Sequence, residues 1–147
     1  QNYDKQWKDM IVLTPVMPNC IRLHLRLPPH MSFKHVKYLL TQTPDLQYLI
    51  LSGQKHLLKA KRWEKLLSLN CPKLLKFKFT CANYIYDENY QYDFRQLLDT
   101  FEEDCETSFW IERNITTSYL KIPFSDDDYR RDIVVKFHVN KTKQSIE

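Results

Sequence analysis

Histidine and cysteine are the residues here best suited to proton transfer, nucleophilic attack or metal binding near neutral pH. The chain holds His24, His30, His35, His56 and His138, together with Cys20, Cys71, Cys81 and Cys105. A cysteine nucleophile needs a base held beside it, and Cys20 with His24 is the only pair close in sequence. A strand beginning just after Cys20 turns His24 away from the face shared by Leu23 and Leu25, while Cys20 points inward. The pair therefore reads as a buried thiol beside an exposed imidazole, and no catalytic set is expected. No cysteines stand as CxxC, and no histidine lies at zinc-ligand spacing from any of them, so no metal site is expected. Asp126-Asp127-Asp128 lacks the spaced acids, glycine and closing glutamate of a calcium loop and reads as a solvated acidic turn. One glycine, Gly53, serves the whole chain. Dinucleotide, P-loop and kinase-type phosphate loops each need several at close spacing, so no nucleotide cofactor is expected.

Charge is segregated. Between Lys55 and Lys78 stand Lys55, Lys59, Lys61, Arg62, Lys65, Lys73, Lys76 and Lys78 against the single acid Glu64. Between Asp87 and Glu112 stand nine acids against the single base Arg95. Neighbouring blocks of opposite sign are expected to face one another within one fold, whereas a nucleic-acid surface would leave the basic block uncompensated. Lys76-Phe77-Lys78-Phe79 has the base–aromatic interleaving of an RNA-stacking strand. Its two rings, however, fall on the face expected to be core, leaving lysines without rings outside. Trp63 and Trp110 read as core anchors, and Trp7 as a cover for one end of the sheet.

The 147 residues amount to one domain. No uncharged run reaches the roughly 18 apolar residues that cross a bilayer, and residues 1–5 carry no apolar signal core. The cysteines sit in apolar contexts that fit core positions, so reduced thiols and a cytoplasmic or nuclear setting are expected. On that reading the sequons at Asn114 and Asn140 carry no sugar. The chain opens on Gln1 rather than methionine, as a fragment of a longer protein would.

The elements that must position these residues come from an internal repeat. Pro18-Asn19-Cys20-Ile21-Arg22-Leu23-His24-Leu25, Pro44-Asp45-Leu46-Gln47-Tyr48-Leu49-Ile50-Leu51 and Pro72-Lys73-Leu74-Leu75-Lys76-Phe77-Lys78-Phe79 share one pattern, Pro-x-[Leu/Cys]-x-x-[Leu/Phe]-x-[Leu/Phe]. The prolines recur at 26 and 28 residues, the period of stacked strand–helix units with an L-x-x-L-x-L core. Apolar residues alternate at the end of each window, as in strands with one buried face, near 21–26, 47–51 and 75–79. Proline, with no N–H to donate, suits the turn that leads into each strand.

Between the strands the period becomes helical. Ser32 caps a helix near 33–41 with Phe33, Val36, Leu39 and Leu40 on one face. A second helix near 59–69 carries Trp63, Leu66 and Leu67, with Leu58 just ahead of it. A third, near 93–105, is expected to start at an Asp93 cap with Gln96 completing a capping box. It aligns Phe94, Leu97, Leu98, Phe101 and Cys105. Its late acids Glu102, Glu103, Asp104 and Glu106 oppose the helix dipole and call for cationic neighbours. The stretch from Tyr84 to Tyr92 reads as a loop. Two strands, near 114–122 and 132–139, close the chain as an antiparallel pair over the last unit's open edge. The first carries Ile115, Thr117 and Tyr119 on one face, the second Ile133, Val135, Phe137 and Val139. Lys141 to Glu147 reads as a disordered tail.

These cassettes resemble the leucine-rich-repeat region of F-box-like proteins, the substrate-recognition subunits of cullin-type ubiquitin ligases. The resemblance runs from about Leu13 to Val139. It rests on the repeat cores, the helix Ala60-Lys61-Arg62-Trp63-Glu64-Lys65-Leu66-Leu67 and the stretch Ser108-Phe109-Trp110-Ile111-Glu112-Arg113. It implies an α/β fold, a short leucine-rich-repeat solenoid with parallel strands backed by helices. It also implies a ligase adaptor as partner only if an F-box module lies upstream of Gln1. Where the family places an asparagine after each core, Pro28, Gln54 and Ala82 stand, so the repeats are expected to be irregular.

In a curved solenoid the residues between core leucines line the concave face. Here these are Arg22, His24, Arg26, Tyr48, Ile50, Lys76 and Lys78, a basic surface with one aromatic ring. Tyrosine and arginine are enriched at binding hot spots. The expected function is a non-catalytic protein-interaction module that recognises an acidic or phosphorylated protein segment. A basic nucleic-acid-binding module and a small hydrolase are the alternatives. Internal neutralisation of Lys76 and Lys78 by the acidic helix is the blander account of those two residues.

Overall fold

A computed structural model describes residues 19–84, 88–123 and 129–140, the side chains of residues 83, 84 and 88–92 excepted. The expectations for Trp7, Pro18, Asp126–Asp128 and the tail from Lys141 lie outside the described residues. The elements are β1 (Arg22–Arg26), α1 (Phe33–Leu40), β2 (Tyr48–Gly53), a 3-10 turn (Lys55–Leu57), α2 (Ala60–Asn70), β3 (Lys76–Tyr84), α3 (Glu88–Asp104), α4 (Ser108–Glu112), β4 (Thr116–Pro123) and β5 (Tyr129–His138). The fold is mixed α/β, built on one five-stranded sheet ordered β1-β2-β3-β5-β4. β1, β2 and β3 run parallel, and β5 and β4 add antiparallel beyond β3.

The proline cassettes produce equivalent local geometry. Pro44-Asp45 and Pro72-Lys73 both occupy turns. Leu46 N–H donates to the Thr43 carbonyl at 3.2 Å, and Leu74 N–H to the Cys71 carbonyl at 3.2 Å. The Ile21 carbonyl accepts from Gln47 and Tyr48, and the Gln47 carbonyl in turn accepts from Leu75 and Lys76. β2 and β3 are thus entered through the same arrangement. Asp45 and Lys73, which hold the same place in successive turns, form an ion pair at 2.7 Å. Both are well exposed, so the pair adds at most about 1 kcal/mol and serves mainly to align the turns.

The register places Leu23, Leu49, Phe77 and Phe137 in one row and Leu25, Leu51, Phe79 and Val135 in the next. Leu49, Leu51, Phe77, Phe79 and Val135 are buried, while Leu23 and Leu25, on the terminal strand, pack only partly against the core. The helices cover this face. Trp63 of α2 lies 5.1 Å from Phe33, 5.2 Å from Phe77 and 5.5 Å from Phe79. Its indole N–H donates to the Leu57 carbonyl at 2.6 Å. Trp110 of α4 bridges Phe101 of α3 to Phe77 and Phe137 of the sheet. Both tryptophans are fully buried. Gly53 has an ordinary backbone conformation, and its role is close packing: a Cβ there would lie 3.1 Å from Phe79 and 3.2 Å from Leu57.

Three local expectations are corrected and one holds. The helix expected at 93 starts at Glu88, so Asp93 lies inside α3 and does not cap it. Nothing from Glu88 to Tyr92 is glycine or proline, and an acid in the first turn suits the helix dipole. β3 runs on to Tyr84, well past Phe79, because antiparallel pairing with β5 continues from Lys76↔His138 to Tyr84↔Arg130. Ser32 is the N-cap of α1, as expected, in a capping box where its backbone N–H donates to Nδ1 of His35 at 3.0 Å, a role that Glu or Gln commonly fills. Ser108–Glu112 forms a short helix that sequence periodicity did not reveal. It ends in a Schellman pattern, with Asn114 at φ 53° and Ile115 N–H donating to the Trp110 carbonyl at 3.2 Å.

Candidate functional site

Because strand side chains alternate, the residues between the core rows share the sheet face away from the helices. The register sets Arg22, Tyr48, Lys76 and His138 in one row, and His24, Ile50, Lys78, Lys136 and Thr116 in the next. A third row holds Arg26, Ser52, Thr80, Val134 and Ser118. All seven residues singled out from the sequence therefore lie on one face. Lys136 and His138 join them through the antiparallel pairing of β5 with β3. The sequence held half of that signal, since Val135 and Phe137 were expected on one face of their strand and Lys136 and His138 therefore on the other; the pairing with β3 decides which face is which.

Arg22, His24, Arg26, Lys136 and His138 are exposed, whereas Tyr48, Ile50, Lys76 and Lys78 are half-buried. Toward Asp132 and Val134 the same face is buried. Among the described residues, Arg22, Arg26, Lys76, Lys78 and Lys136 have no ion-pair partner. The Arg22 guanidinium lies 4.3 Å over the Tyr48 ring, a cation–π contact that fixes its direction without neutralising it. Asp132 is the one carboxylate among the described strand positions of this face. It is held by Arg130 at 3.1 Å, and burial raises its carboxyl above the usual range while Arg130 opposes the shift.

The basic block is divided by the fold. Its helical part faces the acidic α3, with Lys61 Nζ 3.7 Å from Asp104. Lys76 and Lys78 sit on the opposite side of the sheet, so α3 does not neutralise them. The late acids of α3 find other neighbours as well. Thr117 Oγ1 donates to Glu102 at 2.7 Å, and Thr107 Oγ1 donates to Glu64 of α2.

The thiols lie elsewhere. Cys71, Cys81 and Cys105 are buried, and burial pushes each up to about 12. Such thiols carry almost no thiolate at neutral pH and are poor nucleophiles. Half-buried Cys20 donates to the Arg22 carbonyl at 3.2 Å, and His24 looks out from the opposite face. Among the described residues no group of three His, Cys, Asp or Glu is placed to hold a metal ion, and no helix is long and apolar enough to cross a membrane.

Beside a smaller hollow at Tyr48 and His138, two larger concavities flank the sheet. One, about 660 Å³, opens beyond the carboxyl ends of the parallel strands and is lined by Arg26, Ser52, Gln54, Thr80, Arg130 and Asp132 among others. It continues the basic face. The other, about 760 Å³, lies on the helical side, where Lys55, Lys59 and Arg62 face Asp93 and Asp104 across Leu97 and Phe101. Charges of both signs line each of them, with Arg26 and Arg130 beside Asp132 in the first.

No protein-family model matches the sequence, and no curated protein or solved structure matches it.

Proposed function

We propose that this chain is a short, irregular leucine-rich-repeat-like solenoid whose strand face is a protein-interaction surface for an acidic or phosphorylated segment. It resembles the substrate-recognition repeats of an F-box protein. The solenoid reading draws support from the entry geometry that β2 and β3 share, each preceded by a proline turn and joined to the strand before it through one carbonyl that accepts two N–H groups. The binding reading rests on one observation: five cations, from Arg22 across to Lys136, share a face on which α3 cannot compensate them. Like charges at strand spacing with no ion-pair partner among the described residues repel one another, and an anionic partner relieves that repulsion. The low thiolate character of the buried cysteines favours a non-catalytic role, and free buried thiols suit a cytoplasmic or nuclear setting. A ligase adaptor enters as a partner only through a module upstream of the repeats.

The test uses a fluorescein-labelled ten-residue polyglutamate and its phosphoserine-containing counterpart, read by polarisation. Charge reversal of Arg22, Lys76 and Lys78 together is expected to abolish capture and to leave the thermal midpoint nearly unchanged. A large fall in the midpoint contradicts the reading, because it means the cations are paired internally. Tighter binding of a single-stranded oligonucleotide than of either peptide, weakening steeply with salt, favours the nucleic-acid reading instead.

A further inference from the structure

The cations of the open face are not spread evenly. β1 contributes Arg22 and Arg26 as one wall. β3, with β5 beyond it, contributes Lys76, Lys78 and Lys136 as the other. Between the walls runs β2, whose outward residues are Tyr48, Ile50 and Ser52. Neighbouring strands stand about 4.8 Å apart, so β1 and β3 flank the β2 stripe at one strand's distance and Lys136 of β5 stands one strand further out. Tyr48 and Ile50 are half-buried between these charges. The Arg22 guanidinium lies over the Tyr48 ring, and half-buried Lys76 and Lys78 stand directly beside Tyr48 and Ile50 in the register. The result is a short floor, Ile50 beside the Arg22-capped Tyr48 ring, with positive charge on either side.

A uniformly acidic segment satisfies the walls and leaves the floor wet. Removing apolar surface from water adds affinity and selects among acidic partners. We infer that the preferred occupant is an extended segment in which a large apolar residue is flanked by carboxylates or phosphates. It lies along β2, with the apolar side chain over Ile50 and the anions on the two walls. This inference rests on the acidic-segment reading and narrows it. From Tyr48 to Ser52 the stripe spans about 13 Å at the usual rise per residue, room for about four extended residues. Beyond Ser52 the cleft at Arg26 and Thr80 receives whatever anionic residue follows.

The probes are two labelled nine-residue peptides of alternating Asp and Glu, one with Leu and one with Ser at the centre. They are titrated into the intact chain and into Ile50→Thr, a β-branched replacement that keeps strand propensity. Circular dichroism melts confirm that the variant is folded, and Ile50→Val serves as a second variant if it is not. The Leu-centred peptide is expected to bind about tenfold tighter than the Ser-centred one, the equivalent of roughly half a buried leucine. Ile50→Thr is expected to remove most of that advantage without weakening the Ser-centred peptide. Equal affinity of the two peptides, or an equal loss of both on Ile50→Thr, overturns the apolar floor and leaves the acidic-segment reading standing. If neither peptide binds better than it does to the charge-reversed triple variant, the acidic-segment reading itself fails.

Discussion

Adjacent residues of β3 should respond in opposite ways to substitution. Phe77 is fully buried, with Trp63 at 5.2 Å, Phe137 at 5.7 Å and Trp110 at 6.3 Å between ring centres. It joins the ring cluster of α2 to that of α4. Truncation to alanine removes the transfer energy of the ring and leaves a cavity, at a cost of about 3–5 kcal/mol for a site that cannot collapse. Rigid aromatic neighbours on three sides put Phe77→Ala toward the upper end. For a chain of this size that is a fall in Tm of roughly 6–20 °C. Lys78, one residue on, faces away from the helices and has no ion-pair partner among the described residues. Lys78→Glu should therefore change stability by no more than about 0.5 kcal/mol. Urea unfolding followed by tryptophan fluorescence gives both values, with the slope of the transition as a check that the unfolded state is unchanged. Comparable losses for the two variants, or a larger loss for Lys78→Glu, refute the assignment of faces on which the candidate site depends.

Gly53→Ala brings a Cβ within 3.1 Å of Phe79 and 3.2 Å of Leu57. It should destabilise by about 1–2 kcal/mol through overpacking, and a gain in urea midpoint contradicts that account. The folded chain keeps the thiols of Cys71, Cys81 and Cys105 protonated up to about 12 against an ordinary 9.0. Their stabilisation is present in full below pH 9 and is lost as pH rises toward 12. The urea midpoint should drop across that window, less so in Cys81→Ala; an unchanged slope in that variant counts against it. At pH 7 a disulfide-exchange reagent should label Cys20 quickly and the other three only at the rate of unfolding, and rapid labelling of four thiols is the opposing result. Burial raises the Asp132 carboxyl, so its folding contribution is greatest below the ordinary carboxylate range and fades as pH rises through the raised value. Its Arg130 partner is 36% exposed and can be solvated. Asp132→Asn should then raise Tm more at pH 7 than at pH 4, whereas a loss at pH 7 shows the ion pair to be the stronger effect.

The parallel part of the sheet was legible because both of its signals are local. Apolar alternation marks each strand, and a proline three to five residues ahead marks each entry. The face of Arg22, Tyr48 and Lys76 followed from the same alternation. What escaped depends on partners distant in sequence. The extension of β3 to Tyr84 is set by β5, and the addition of Lys136 and His138 to the basic face needs the β3–β5 register. The division of the basic block was also hidden. Lys61 and Lys78 look alike in a charge count, yet one stands on a helix facing α3 and the other on the far side of a sheet. The α4 helix is too short for periodicity to show, and its end is fixed by Asn114 in a left-handed conformation. The early start of α3 was missed because tyrosines among Asp and Asn resemble loop composition, although no residue there stops a helix.

The central claim is that an acidic segment lies on the strand face, and amide chemical-shift mapping tests it most directly. The uniformly labelled chain is titrated with the Leu-centred acidic peptide at low and at physiological salt. The account predicts that the largest shifts fall on Arg22–Arg26, Tyr48–Ser52, Lys76–Lys78 and Lys136–His138, and that they shrink as salt screens the walls. Shifts confined to Lys55, Lys59, Arg62 and Gln96, on the helical side of the sheet, contradict it.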